Sequence, residues 1–299
     1  MEGKQMNSLW SNCIQKTGTL YLTRTLRFSD VFKDKYCSAF QIEGKNNILE
    51  IGCGPGALSQ AMQRWYPNAT LHGIDRDSQF IDYAHSIAPH ILFSEDDAAN
   101  LTFQNNSFDV TISNTVQEHI EPSKFFGEQY RVLKENGICL VLSARRGINY
   151  VAPCIAEQTE FETEIYQRTA QAYDAFYQKH SICAYPMTEV ELPAEMEKYG
   201  FQKVSTEYIT INLTPDHPAY SADMAHAMIN ANRQVELDEA DCLLKIAPDL
   251  ISLEEVCKLK QIKNTKYDKR IALYDAGIKQ WDTNMSVTMI IRGIKQNIR

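Results

Sequence analysis

One rhythm limits this chain more than any other feature. From residue 47 to residue 144, short apolar runs alternate with helix-patterned segments. Short apolar runs bounded by turn residues are buried strands, and a helix between successive strands carries the chain back for parallel pairing. The pattern predicts strands at 48–51, 70–74, 91–93, 108–113 and 138–143, with helices at 57–65, 78–87 and 122–134. Pro67 and Pro89 close the first two helices, and Asn136-Gly137 turns the chain into the fifth strand. The fold class is therefore α/β: a Rossmann-like, mostly parallel sheet with helices on both faces.

Outside that window the rhythm changes. Residues 5–40 read as helical, with Leu20, Leu22, Leu26 and Phe28 as apolar positions. Residues 154–181 are helix-like, and a shorter helix at 189–199 ends at Gly200, a C-cap residue. "KVSTEYITINL" alternates as a strand, 216–280 is again helical, and "MSVTMIIRGI" is a closing strand. A connection of some sixty residues is too long for a plain loop, so it is read as a helical cap over the active face. The expected organisation is an N-terminal helical segment (1–46), a binding core (47–149), a helical insertion (150–188), a core helix and strand (189–215), the cap (216–280) and a final strand (281–299).

Composition narrows the partners. The net charge of -8 opposes phosphate-rich ligands, and "TRTLR" and "SARRG" are too small to form a basic patch. Nucleic acid is not an expected partner. No apolar run approaches the roughly 18 residues of a membrane span, and "MEGKQMNSLWSNC" lacks a secretory apolar region. The eight cysteines are scattered, with no C-x-x-C and no zinc spacing. The expectation is reduced thiols in a cytoplasmic protein, with no metal site. Nothing in the sequence assigns an oligomeric state.

The core's chemistry starts at "NILEIGCGPGALSQ". Gly52, Gly54 and Gly56 follow a strand and precede a helix, where glycines permit a tight turn and close approach to a ligand. Asp75 ends the second strand, 21 residues past Gly54, where a carboxylate suits a ribose diol. Asp97 follows the third strand. Its carboxylate can accept from an exocyclic amine, while the Ala98 N–H donates to a ring nitrogen. Glu50, inside the first strand, can hold the turn's N–H groups or attract a cation, but would repel a pyrophosphate. The order G-C-G-P-G-A also puts the third glycine one place earlier than the dinucleotide fingerprint does.

Together, "ILEIGCGPGAL", "GID", "DDAANLTFQNNSFDVTISN" and "RVLKENGICLVLSA" resemble the successive motifs of class I S-adenosylmethionine-dependent methyltransferases, of the small-molecule branch. The resemblance spans about residues 47–144 and implies a seven-stranded sheet with an antiparallel last strand. It implies that Gly52, Cys53, Gly54 and Gly56 line the methionine part of S-adenosylmethionine and that Glu50 braces the loop. Asp75 would take the ribose hydroxyls, Arg76 would lie along the adenine, and Asp97 with Ala98 would read the adenine edge. Asn114 would face the methionine amino group or the acceptor. Many relatives have Gly-Asp where this chain has Asp96-Asp97; Asp97 is the favoured contact.

The expected reaction is in-line methyl transfer to an O, N or C atom of a small molecule, which needs alignment first and a base only if the acceptor loses a proton. In "NTVQEHIEP", Glu118 and His119 fall at the carboxyl ends of the strands, where open α/β folds bind ligands. His119 is the candidate base. Tyr21, Arg24 and Arg27 share one helix face and are candidates to close over the cofactor carboxylate. The "SNTVQ" segment lacks the motif that holds a flipped base amine. Pro153-Cys154, a dipeptide of cytosine-C5 enzymes, comes after the fifth strand rather than the fourth. The competing readings are a non-catalytic S-adenosylmethionine-binding protein and an NAD(P)-dependent dehydrogenase.

Overall fold

A computed structural model describes residues 8–296, without the side chains of 144–146. The expected helical reading of residues 5–7 lies outside it. Seven strands form one sheet in the order β3-β2-β1-β4-β5-β7-β6. They are β1 (Asn47–Ile51), β2 (Thr70–Asp75), β3 (Leu92–Glu95), β4 (Phe108–Asn114), β5 (Leu133–Tyr150), β6 (Phe201–Leu213) and β7 (Thr283–Lys295). β1 through β5 pair in parallel, and β7 runs antiparallel between β5 and β6. This is the expected sheet, with its last strand reversed.

β1 is buried from Ile48 onward because helices cover both faces, which is why its buried residues are apolar except for Glu50. The covering helices on the core include α3 (Ala57–Trp65), α4 (Ser78–Ile87) and α5 (Pro122–Val132). Phe125 and Phe126 on α5 are fully buried with Val141, Met289 and Ile291, and Ile48, Val110 and Leu140 belong to the larger cluster that contains Met62 and Trp65.

Several expected boundaries are corrected. The N-terminal helical stretch is three pieces: a short π-helical segment Trp10–Ile14, then α1 (Thr17–Arg27) and α2 (Lys33–Phe40). The break after Phe28 follows from Asp30, whose carboxylate accepts from Trp65 Nε1 at 2.8 Å and pairs with Arg64 on α3 at 3.1 Å. The helix expected at 154–181 is a single turn, Pro153–Ala156, followed by α6 (Glu160–Lys179). Thr159 and Glu162 form a capping box at its start, a T-x-x-E signal present in the sequence. Likewise the 216–280 stretch divides into α8 (Ala222–Ile246) and α9 (Leu253–Asp275), the second opened by a Ser252–Glu255 capping box. Between α6 and α8 in chain order, α7 (Glu191–Lys198) precedes β6.

The largest correction is β5. It continues past Ser143 to Tyr150, paired with β7 across a register shift between Ala144 and Arg146, with Tyr150 opposite Thr283. Its outer half shows no apolar signal because it leaves the core: Ile148 and Tyr150 are exposed, and β7 alone satisfies the backbone. The cap expectation also changes. α8 packs on α1 rather than over the glycine turn; Lys16 and Thr19 of the α1 region bond Asp238 and Asp241 of α8.

Candidate active site

The glycine turn, the ends of β1, β2 and β4, and the N-terminal segment line one cleft, partly open to solvent, of about 990 Å³ including the space at its mouth. Gly52, Gly54 and Gly56 all have positive φ, of 67°, 52° and 84°. Only at the first does the turn itself forbid a side chain: a Cβ on Gly52 would lie 2.4 Å from Val116 Cγ2. Gly56 is placed differently from expectation. It does not line the cleft; it starts α3, and a Cβ there would meet Phe93 Cζ at 3.0 Å and Ala84 Cβ at 3.2 Å. Its role is close packing of helix against strand.

Asp75 holds the turn. One oxygen accepts the Gly54 N–H at 2.9 Å and the other accepts the Asp77 N–H at 2.9 Å. Each carboxylate oxygen keeps a further lone pair for the cleft. Burial pushes Asp75 up from 3.8 to about 6, against those two N–H bonds. Glu50, 5% exposed, accepts from the Ser59 hydroxyl on α3. Burial, with a further contribution from the charge of Asp75, raises it to about 8. Glu50 is therefore mostly protonated at neutral pH while no cation faces it.

Asp96 and Asp97 both line the cleft but have different work. Asp96 is buried and spent on its own loop, accepting from the Asp97 N–H (2.9 Å), the Thr102 N–H (3.1 Å) and the Thr102 hydroxyl (2.9 Å). Asp97 is exposed and accepts only the Ala99 N–H, at 2.9 Å, so its carboxylate keeps free lone pairs. Cys53, Arg76, Ala98 and Asn114 also line the cleft. Burial drives the Cys53 thiol well above its ordinary value, so it is inert.

His119 sits in a 3-10 turn, Gln117–His119, and lines the cleft. Its Nδ1 accepts the Cys183 N–H at 3.0 Å, and its ring meets Trp10 edge-on at 4.7 Å. A nitrogen that accepts a backbone hydrogen carries none, so the neutral ring bears its hydrogen on Nε2. Burial lowers the imidazole below 6.5, in keeping with that neutral tautomer. In this arrangement the ring offers a donor, and the lone pair a base needs is already used. Glu118 does not line the cleft; its carbonyl accepts from the Tyr185 N–H at 2.9 Å.

The three α1 candidates separate. Arg24 lines the cleft, and one of its Nη groups donates to Thr115 Oγ1 at 3.3 Å. Tyr21 lies outside it, donating to Gln60 at 3.1 Å and packing on Tyr83. Arg27 faces a neighbouring cavity instead. Sequence reasoning missed Trp10, Leu20, Phe28 and Phe80, which supply apolar lining. Trp10 is positioned by Asp77, which caps α4 and accepts from both the Ser11 N–H (2.8 Å) and the Ser11 hydroxyl (2.9 Å). It missed Thr115 too, a β-branched residue at φ 54°, a conformation held by its N–H to Leu142 O at 2.9 Å.

Comparison with known proteins adds a family. The model of a methyltransferase domain matches residues 49–141. The core of this chain is a class I methyltransferase domain. Over 109 residues the chain is 35% identical to a fatty-acid O-methyltransferase of Mycolicibacterium smegmatis, covering 35% of this chain and 39% of that one. Over 118 residues it is 30% identical to a ubiquinone/menaquinone biosynthesis C-methyltransferase of Campylobacter jejuni, covering 36% of this chain and 49% of the relative. The chain thus spans less than half the length of these relatives. In three dimensions it resembles phosphoethanolamine N-methyltransferase 2 of Haemonchus contortus, with a TM-score of 0.52, 16% identity, and 97% of this chain and 59% of that chain covered. That likeness extends the shared fold beyond the matched core.

S-adenosylmethionine is the cofactor of this class, and the methyltransferase core's donor set suits it. Four carboxylates, Glu50, Asp75, Asp96 and Asp97, face one cleft with Arg24 and Arg76. Such a set repels a pyrophosphate and attracts a ligand bearing cationic groups and hydroxyls. Among the described residues no group of three or more His, Cys, Asp or Glu side chains could hold a metal ion, and no helix is long and apolar enough to cross a membrane.

Proposed function

We propose that the protein transfers a methyl group from S-adenosylmethionine to a small organic acceptor. One observation carries this reading: the Asp75 carboxylate at the tip of β2, held by the glycine turn yet with lone pairs left over, in a cleft rich in carboxylates. The ribose diol would take those lone pairs, the adenine edge would lie at Asp97 and Ala98, and the methionine end at Gly52, Gly54 and Asn114. Arg24 would meet the methionine carboxylate, and Glu50 would ionise to face its ammonium group.

When bound, the cofactor supplies an electrophilic methyl that leaves its sulfur, with the bonding pair staying on sulfur, as an acceptor lone pair attacks in line. The chain's own contribution is orientation and exclusion of water. His119 acts as a neutral hydrogen-bond donor rather than as a base, because its Nδ1 is engaged by Cys183. An acceptor with an acidic proton would lose it to solvent. The names of the two relatives give an O-methyl and a C-methyl product, so the core does not select the atom. The same carboxylate set weighs against a dehydrogenase.

The test is calorimetric binding of S-adenosylhomocysteine and NADH, followed by transfer from labelled S-adenosylmethionine into a pool of organic acids, amines and phenols. Binding of the first nucleotide only, with label appearing in one acceptor class, is expected. NADH binding, or no binding of S-adenosylhomocysteine, overturns the proposal; binding with no transfer assigns a non-catalytic role.

A further inference from the structure

A second cavity adjoins the cofactor cleft. It lies on the other side of α1, between the outer end of β5, α8 and the start of β7, and shares Gln15 and Arg24 with the cleft. It spans about 1200 Å³ including its mouth. Neither the match to the methyltransferase domain nor the glycine-turn motifs reach these residues.

The charges around this cavity do not balance. Two carboxylates border it, and each lies against a cation, Asp282 sharing its own with buried Asp216. Glu236 accepts from the Tyr267 hydroxyl at 2.7 Å and pairs with Lys263 at 2.8 Å. Asp282 is gripped by Arg270, with contacts of 3.0 Å and 2.6 Å. The two guanidinium groups, in contrast, have only neutral partners. Arg24 has the Thr115 hydroxyl. Arg27 has the Ser286 hydroxyl and, at 3.0 Å, Asn284 Oδ1. Neither has a carboxylate within ion-pair distance among the described residues. The two half-buried cations, one helical turn apart, repel each other; Arg24 feels the charge of Glu118, whereas Arg27 has no carboxylate partner among the described residues, and such charges are normally paired. Leu26, Leu213, Met228 and Val235 supply apolar lining between polar residues that include Asn149, Asn232 and Thr283.

We propose that this cavity is the acceptor site, and that the acceptor is an organic anion, a carboxylate or phosphate monoester, with an apolar body. Its anionic head pairs with Arg27. The proposal rests on the reading of the first cleft as the cofactor site. Because Arg24 lines both spaces and Arg27 only the second, the anion sits about one helical turn, roughly 5 Å, from the threshold where transfer occurs. The methylated atom is then a few bonds away from the acid group rather than being that group. Arg27 is a specificity residue in this scheme, and Asn232, on the α8 wall, stands where a new carboxylate would oppose the same anion.

The test uses the full chain saturated with S-adenosylhomocysteine and three probes of equal length: octanoate, octyl phosphate and 1-octanol. Either anion should bind at least tenfold more tightly than the alcohol, and the tighter of the two identifies the head group. Arg27→Gln should cost the anion about 10- to 100-fold, the size of a lost charge-assisted bond, and leave 1-octanol unchanged. Arg27→Lys should restore part of the affinity. Asn232→Asp, which does not remove the α1 contacts, should weaken the anion at least tenfold without changing S-adenosylhomocysteine binding. Equal affinity for all three probes, or indifference to both Arg27→Gln and Asn232→Asp, overturns the inference. If S-adenosylhomocysteine binds and no anion does, only this inference falls; if S-adenosylhomocysteine does not bind, the proposed function falls first.

Discussion

Glu50→Gln tests the electrostatics of the cleft most directly. The side chain is 5% exposed and its carboxyl lies at about 8 rather than 4.5. Between those values the unfolded chain has lost the proton and the folded protein keeps it. The contribution of Glu50 to stability is thus greatest below pH 4.5, is lost as pH rises to 8, and is level above. At about 1.4 kcal/mol per pH unit the full displacement corresponds to roughly 5 kcal/mol. Water entering the open side of the cleft reduces this, so about 2–5 kcal/mol is expected. Glutamine keeps the shape and can still accept from Ser59, but it does not titrate. Urea denaturation of ligand-free protein at pH 5 and pH 8.5 should show the wild type losing that amount relative to Glu50→Gln. Asp75 titrates in both proteins, so the difference reports Glu50 together with its coupling to Asp75. A stability difference that stays within about 0.5 kcal/mol across the two pH values would refute the burial argument.

Further outcomes follow from the same geometry. Asp75→Ala removes the acceptor for the N–H groups of Gly54 and Asp77, so it should weaken S-adenosylhomocysteine by about 1.5–3 kcal/mol in calorimetry and also lower the melting temperature; unchanged affinity contradicts the ribose placement. Gly52→Ala should destabilise the fold by at least about 1 kcal/mol, and Val116→Ala should recover only part, since φ of 67° remains unfavourable for alanine. Full recovery in the double variant would mean that the clash alone matters. Arg270→Met strands Asp216 and Asp282, both buried, and should cost about 3–5 kcal/mol in urea denaturation; a neutral result would show those carboxylates are otherwise satisfied. Wild-type binding of S-adenosylhomocysteine at pH 7 should release a proton as Glu50 ionises, read from calorimetry in buffers of differing ionisation enthalpy. No difference in proton release between wild type and Glu50→Gln would count against Glu50 as its source.

What the sequence determined is local and periodic. A strand buried on both faces is rich in apolar residues, so β1, β2 and β4 announced themselves despite Glu50, His72 and Thr111, and a turn with φ of 52–84° favours glycine, so the loop at 52–56 did too. With five strands and their helices legible, the carboxylates at the strand tips could be assigned to one edge of the sheet. Tertiary structure decided the rest, because it depends on partners distant in the chain. The outer half of β5 is a strand only because β7, some 140 residues later, pairs with it. His119 is held in one tautomer by a backbone N–H from Cys183. Arg24 and Arg27 look equivalent on one helix, yet the packing of α8 against α1 puts the first at a threshold and the second in a separate cavity. Local periodicity reports which face of an element is buried; it carries no information about what that face is buried against.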